Sequence, residues 1–274
     1  MGQYLSRHLS LLLHRESDQP PSEGSVWLPP ETVDKILGHV PVDEDWRRTL
    51  MACSLVATCW TRPSQRHLFR WVDVHDGNYE WWMSGVAFSG PGAHLLGYVR
   101  SLRHHRGWGT GIQGPAQDFG ENLSGLRNLH SLTLSNIEVE HISDGELHTC
   151  FSAFRETLTS LSLDTFAMSF RAFVTLVDYF PNITTLRLHS FGLEPNGEPA
   201  QSLSRPLRGK VRVRVQADFP EFINRFTKLD LEYDELVIHG YLPASARMEM
   251  VGSALQISPS TVKLLRLNLQ LPRE

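Results

Sequence analysis

Five basic residues recur at alternate positions of apolar segments: Arg187, then Lys210, Arg212 and Arg214 within KVRVR, then Arg266. A guanidinium donates two parallel hydrogen bonds to a carboxylate or phosphate, and an ammonium adds a point charge. The chemistry these residues suit is capture of an anionic group, an acidic or phosphorylated segment of another protein. The competing reading is a charged strand face that keeps a sheet in solution. Signals for catalysis are weaker. Gly109, Gly111 and Gly114 spell G-x-G-x-x-G, but a dinucleotide site needs those glycines directly after a buried strand. Arg103 to Trp108 intervene, so the segment reads as a glycine-rich loop. The 13 histidines contain no H-E-x-x-H, and His104 and His105 are adjacent, pointing to opposite sides of a strand, and are expected at the surface. Cys53, Cys59 and Cys150 lack C-x-x-C spacing, and neither a G-x-S-x-G elbow nor a Walker loop is present. With no nucleophile beside a base, the expectation is a binding protein: no catalysis, no cofactor and no metal.

The elements that must carry the basic residues repeat. Apolar positions two apart occur at Val72/Val74, Leu132/Leu134, Leu161/Leu163, Leu186/Leu188, Val211/Val213, Leu236/Ile238 and Leu265/Leu267, with Val99 and Leu102 belonging to the same series. Successive anchors from Leu102 are 30, 29, 25, 25, 25 and 29 residues apart. Alternate residues of a strand point to opposite faces, so each pair turns inward while its neighbours stay in water. The fuller form L-x-x-L-x-L occurs at Leu129-Leu132-Leu134, Leu158-Leu161-Leu163 and Ile183-Leu186-Leu188. This pattern resembles leucine-rich repeats. The resemblance implies parallel strands on a concave face and helices or loops on the convex one. The alternative is a plain α/β domain with a parallel sheet. Return helices are predicted over Glu146–Thr157, Phe170–Phe180 and Ala244–Gln256, and a loop between Leu188 and Val211, where Pro195, Gly197, Pro199 and Pro206 exclude a long helix. On the outward positions the first two rows are neutral or acidic (Ser131, Thr133, Ser135; Ser160, Ser162, Asp164). From Arg187 onward the row is basic, with Glu235 against it. The sequence ends at Glu274 straight after an apolar strand, with no polar capping repeat to cover it.

Upstream lies a segment with more apolar surface than its size can bury. Leu28, Pro29, Pro30 and Glu31 open it; proline in a first helical turn loses nothing, and an acid there suits the helix dipole. Val33, Ile36, Leu37 and Val40 form a helical stripe that Pro41 stops. Asp43 or Asp45 caps a second helix with Trp46, Leu50, Met51, Cys53, Leu55 and Val56. A third piece holds Trp60, Leu68 and Phe69, interrupted by Pro63. Leu28 to Phe69 is 42 residues, near the roughly 40-residue size below which a chain usually needs outside help to fold.

LPPE, Ile36-Leu37, SLVATCW from Ser54 to Trp60 and HLF from His67 to Phe69 resemble an F-box. The resemblance implies docking on the small Skp-type adaptor of a cullin–RING ubiquitin ligase, and makes Leu28, Pro29, Ile36, Leu37, Leu55, Val56 and Trp60 candidate adaptor contacts. Trp60 has the character of an interface anchor, a residue type whose truncation often costs about 2 kcal/mol or more. With YVRSL at Tyr98–Leu102 and RPLRGK at Arg205–Lys210, the arrangement looks like the F-box and leucine-rich-repeat proteins of mushroom-forming fungi. There the first module joins the ligase and the second selects a protein for ubiquitination and degradation. The fold class expected is α/β: a small all-α F-box, then an irregular leucine-rich-repeat solenoid. The boundaries are a flexible tail at 1–25, the F-box at 26–70 and the solenoid at 71–274. A ligase-independent leucine-rich-repeat scaffold, its helices merely capping the array, is the alternative.

Whole-chain properties bound these readings. A net charge of −4 and pI near 6.3 give no general pull toward nucleic acid or anionic membranes. Hydrophobic content of 41% supplies a core. No apolar run approaches the roughly 18 residues of a membrane span. The cysteine pattern suits a reduced interior, and hence cytoplasm or nucleus. Met1-Gly2 with Ser6 fits the minimal N-myristoylation pattern at Gly2, but no second anchoring signal accompanies it. Gln19 to Ser25 reads as a linker.

Overall fold

The computed structural model describes residues 28–75, 78, 82, 92–105, 123, 125–139, 143–193, 203, 207–215, 231–241 and 264–270. Three helices come first. Helix α1 (Pro30–Gly38) starts with Pro30 at its first position, Glu31 in the first turn and Lys35 in the last, all matched to the helix dipole. Helix α2 spans Trp46–Val56, entered through a turn in which the Asp45 N–H donates to Asp43 Oδ1 at 3.0 Å. Helix α3 (Thr58–Leu68) runs unbroken through Pro63, where an interruption was expected. Proline there removes one hydrogen bond to the preceding turn, but Pro63 is itself buried, and its packing offsets that loss. Val33, Leu37 and Leu50 form the core of the trio, with Leu28, Val40, Trp46, Cys53, Trp60 and Leu68 packed around it.

Eight strands follow, all parallel and in chain order: β1 (Trp71–Val74), β2 (Ser101–His104), β3 (Ser131–Val139), β4 (Ser160–Met168), β5 (Thr185–Leu193), β6 (Leu207–Val215), β7 (Leu231–Tyr241) and β8 (Leu264–Gln270). The molecule is therefore α/β with a parallel sheet. The register matches the anchors read from sequence: Val72, Leu102, Leu132, Leu161, Leu186, Val211, Leu236 and Leu265 form one continuous row. Every member from Val72 to Val211 is buried. A second inward row runs Val74, His104, Leu134, Leu163, Leu188. His104 corrects the expectation of a surface histidine: strand alternation puts it inward, where it is 2% exposed.

Two helices cover the inward face. Helix α4 (Asp144–Phe151) extends through a 3₁₀ turn at Ser152–Phe154, and α5 spans Phe170–Tyr179. Both fall where sequence periodicity places return helices, while the expected helix at Ala244–Gln256 lies outside the described residues. Of the loop expected between Leu188 and Val211, both ends are strand, since β5 continues to Leu193 and β6 begins at Leu207, and the rest apart from Leu203 lies outside the described residues. Phe151, Phe154 and Phe180 pack as a trio with centroids 5.6–6.2 Å apart, an arrangement worth more than its buried area alone. Ser143 and Glu146 form a reciprocal capping box at the start of α4, and Ser169 Oγ accepts from Ala172 N–H to cap α5.

Each turn of the array is also tied to the one before by polar bonds. The carbonyls of Arg70, Arg100, His130 and Thr159 each accept two consecutive N–H groups from the start of the next strand, at 2.9–3.0 Å. Asn128 Nδ2 donates to Gly97 O at 2.8 Å, and Asn182 Nδ2 to Glu156 O at 2.7 Å. Thr157 takes the equivalent place between them, donating to Leu129 O at 2.8 Å.

Candidate binding surfaces

Two surfaces carry the residues singled out from sequence, and they differ in how their side chains are held. In the helical trio the apolar stripe of α1 divides. Val33 and Leu37 face the trio's own core, whereas Ile36, one position away on the helix, is 44% exposed. On α2, Leu50 is buried but Leu55 and Val56 are 46% and 70% exposed. Four of the five large exposed hydrophobics among the described residues (Ile36, Val42, Leu55, Val56) lie between Pro30 and Val56; Trp71 is the fifth. That concentration is not what a scattered surface apolar residue produces. The seven adaptor-contact candidates thus separate. Pro29, Ile36, Leu55 and Val56 are exposed, Leu28 and Trp60 are half-buried against the core, and Leu37 is buried within it.

The trio rests on the beginning of the sheet. Trp46 on α2 meets Trp71 on β1 edge-on at 5.8 Å, Gln65 Oε1 lies 3.3 Å from His94 Nε2, and the Arg66 guanidinium stacks on Tyr98. Arg47 and Arg70 stack on the outer faces of the two tryptophans. Cation–π contacts of this kind contribute about 0.5–1 kcal/mol each where exposed.

On the sheet, the positions between the inward rows are also in register. The central row runs Asp73, Arg103, Thr133, Ser162, Arg187, Arg212, Val237 and Arg266; beside it Asp164, His189 and Arg214 are opposite one another. Four of the five basic residues, Arg187, Lys210, Arg212 and Arg214, therefore come together on the adjacent strands β5 and β6, and Arg266 lies two strands further along the central row. Arg187 and Lys210 are exposed and Arg212 is half-buried. Arg187 and Arg212 are direct register partners, at the strand spacing of about 4.8 Å. Arg212 Nε is buried and has no hydrogen-bond partner among the described residues, a state that ordinarily costs about 1–3 kcal/mol or more. The outward serines are less accessible than strand alternation predicts: Ser135 and Ser162 are buried.

Among the described residues no group of three histidine, cysteine or acidic side chains is arranged to hold a metal. One cavity, beside His104 and lined otherwise by Val72, Val74, Trp82, Leu96 and other apolar residues, measures about 10 Å³, room for a single water at most. Burial, reinforced by the nearby Glu146 charge, pushes the Cys150 thiol up to about 11, which keeps it protonated and unreactive at neutral pH. The glycine-rich G-x-G-x-x-G segment lies outside the described residues, and so does Gly2.

Sequence reasoning passed over the asparagine clips, the inward His104 and the α4 capping box. The signals were present: asparagine immediately precedes the repeat at Asn128-Leu129 and Asn182-Ile183, and Ser143-x-x-Glu146 is a capping-box pattern. No protein-family model matches the chain, and no curated protein matches it. No helix among the described residues is long and apolar enough to cross a membrane.

Proposed function

We propose that this protein is the substrate adaptor of an SCF-type cullin–RING ubiquitin ligase, working in cytoplasm or nucleus. In this reading residues 26–70 are an F-box that docks on a Skp-type adaptor, and residues 71–274 are a leucine-rich-repeat solenoid that holds the protein to be ubiquitinated. The observation that carries it is the exposed set Ile36, Leu55 and Val56 on helices whose own core is already closed by Val33, Leu37 and Leu50. Apolar side chains left outside a finished core suit a groove on another subunit. The repeat reading draws on a sheet built strictly in chain order with apolar rows recurring every 25–30 residues. The longer pattern L-x-x-L-x-L-x-x-N/C-x-L fits Leu129–Val139, Leu158–Met168 and Ile183–Leu193, with one departure: Ile137, Phe166 and Phe191 stand where asparagine or cysteine is usual.

A second reading has its own support. The Trp46–Trp71 contact and the polar links from α3 to His94 and Tyr98 suit a trio whose work is to cap the array of a ligase-independent interaction scaffold. Co-expression of the full chain with a Skp-type adaptor separates the two. Stoichiometric co-purification, lost in Ile36→Asp and in Leu55→Asp, supports the adaptor reading. A full chain that purifies folded but alone favours the scaffold.

A further inference from the structure

We infer that the exposed apolar side chains of the helical trio, Ile36 and Val42 with Leu55 and Val56, are a docking surface for this chain's own N-terminal segment, Leu5 to Leu13, which masks them until a partner displaces it. The inference does not depend on the adaptor reading, because the same side chains stand outside the core whether the trio joins a ligase or caps a scaffold. Covalent geometry supplies the first reason. Residues 1–27 lie outside the described residues and lead into Leu28, which is half-buried against the trio's own core. The tether is thus anchored on the trio itself. Leu13 is 15 residues from Leu28, which gives a flexible chain an average reach of about 20 Å. Ile36 lies six residues beyond Pro30 in α1, about 9 Å along the helix and well inside that reach. A segment tethered so closely meets its site at an effective concentration on the order of millimolar. Contacts too weak to hold a free peptide then suffice.

Chemical complementarity supplies the second. Leu5, Leu9, Leu12 and Leu13 recur at i, i+4, i+7 and i+8, the spacing with which one face of an amphipathic helix enters an apolar groove. Charge is matched as well. Between Met1 and Arg15 stand Arg7 and Arg15 and no acid. On the trio, the exposed Val42 is followed by exposed Asp43, Glu44 and Asp45 in the turn from α1 to α2. Asp45 pairs with Arg48 at 2.9 Å, while Asp43 and Glu44 place carboxylates beside the apolar site, where an arginine can land. An apolar stripe flanked by arginines is thus complementary to an apolar set flanked by acids. Exposed ion pairs are weak and screened by salt, so the leucines supply most of the affinity and the charges set the orientation.

The test uses the purified full chain and a fluorescent synthetic peptide of residues 1–16. In the parent chain the peptide must compete with the resident segment. In a full chain carrying Leu5→Ser, Leu9→Ser, Leu12→Ser and Leu13→Ser the surface is open. The expected result is peptide binding at least about tenfold tighter to that variant than to the parent. Adding Ile36→Asp or Val42→Asp to the variant should weaken binding about tenfold or more. Val42 lies exposed between α1 and α2, so its substitution keeps the test open even if Ile36→Asp disturbs the fold. A photo-crosslinking benzoylphenylalanine in place of Leu12 should couple, within one chain, to the stretch from Ile36 to Val56. Equal binding to parent and variant, no binding to the variant, binding unchanged by Val42→Asp, or crosslinks that join two copies of the chain would each overturn the assignment. No ligase component is in these assays, so their failure leaves the adaptor reading standing.

Discussion

Gly209 shows how much of this sheet can depend on one residue. It sits at φ +116° where the β6–β7 register shifts, in a region of backbone space open mainly to glycine. A Cβ there would press into the Thr184 carbonyl, the same carbonyl that accepts the Lys210 N–H at 2.8 Å. Gly209→Ala therefore faces both conformational strain and a steric clash with the neighbouring turn. A loss of about 2 kcal/mol or more is expected from these two causes together, measured by urea unfolding of the full chain. A loss under about 0.5 kcal/mol, the range of an ordinary surface substitution, would show that the loop relaxes freely. At the same scale, the separation of Ile36 from Leu37 follows from helix geometry alone. Adjacent residues point about 100° apart, so one can close a core while the other stays outside.

Among the elements, α4 offers a defined pH test. The Glu146 carboxylate accepts from the Ser143 N–H at 2.8 Å and from its hydroxyl at 2.7 Å, while Ser143 Oγ accepts from the Glu146 N–H at 3.2 Å. The backbone donor, with the hydroxyl second, holds the Glu146 carboxyl below its ordinary value of 4.5. A group depressed by folding contributes stability above its unfolded pKa, and that contribution fades as pH falls through the folded value. Glu146→Gln should therefore be less stable than the parent at pH 7, with the difference fading as pH falls below 4.5 and through the lower folded value. Ser143→Ala should cost about 1 kcal/mol at pH 7. A Glu146→Gln deficit that stayed constant from pH 7 to pH 3 in thermal melts would remove the carboxylate from the cap.

At the scale of the whole molecule, the residues that close the helical trio's core and those of the proposed docking surface are separable. Leu37 is buried in a core completed by Val33 and Leu50, and truncating it to alanine should cost about 2–5 kcal/mol. Ile36→Asp, on the exposed side, should shift the thermal midpoint by no more than about 2 °C. If Ile36→Asp instead unfolds the chain, the exposed set belongs to the fold and the docking reading fails. The sheet follows a similar division. Its inward rows are apolar from Val72 to Leu188 except for His104, while the intervening positions pass from hydroxyls on β3 and β4 to cations on β5 and β6. The apolar core and the charged positions thus occupy opposite faces of the same strands.

The strand positions, their order of anchors and the two return helices were legible in the residues, because period 2 and period 3.6 are local consequences of backbone geometry. Steps of 30, 29 and 25 residues between leucines became hydrogen-bonded register without adjustment. Tertiary structure alone decided which members of an apolar stripe close a core and which remain outside, since burial depends on what the opposite surface provides. It alone carried α3 through Pro63, where packing outweighed a missing hydrogen bond. It also set Arg187 against Arg212 across strands 25 residues apart in sequence, a distance over which like charges exert no local signal. Local periodicity is written into neighbouring residues, but the electrostatic and steric terms that make a surface act between residues only the fold brings together.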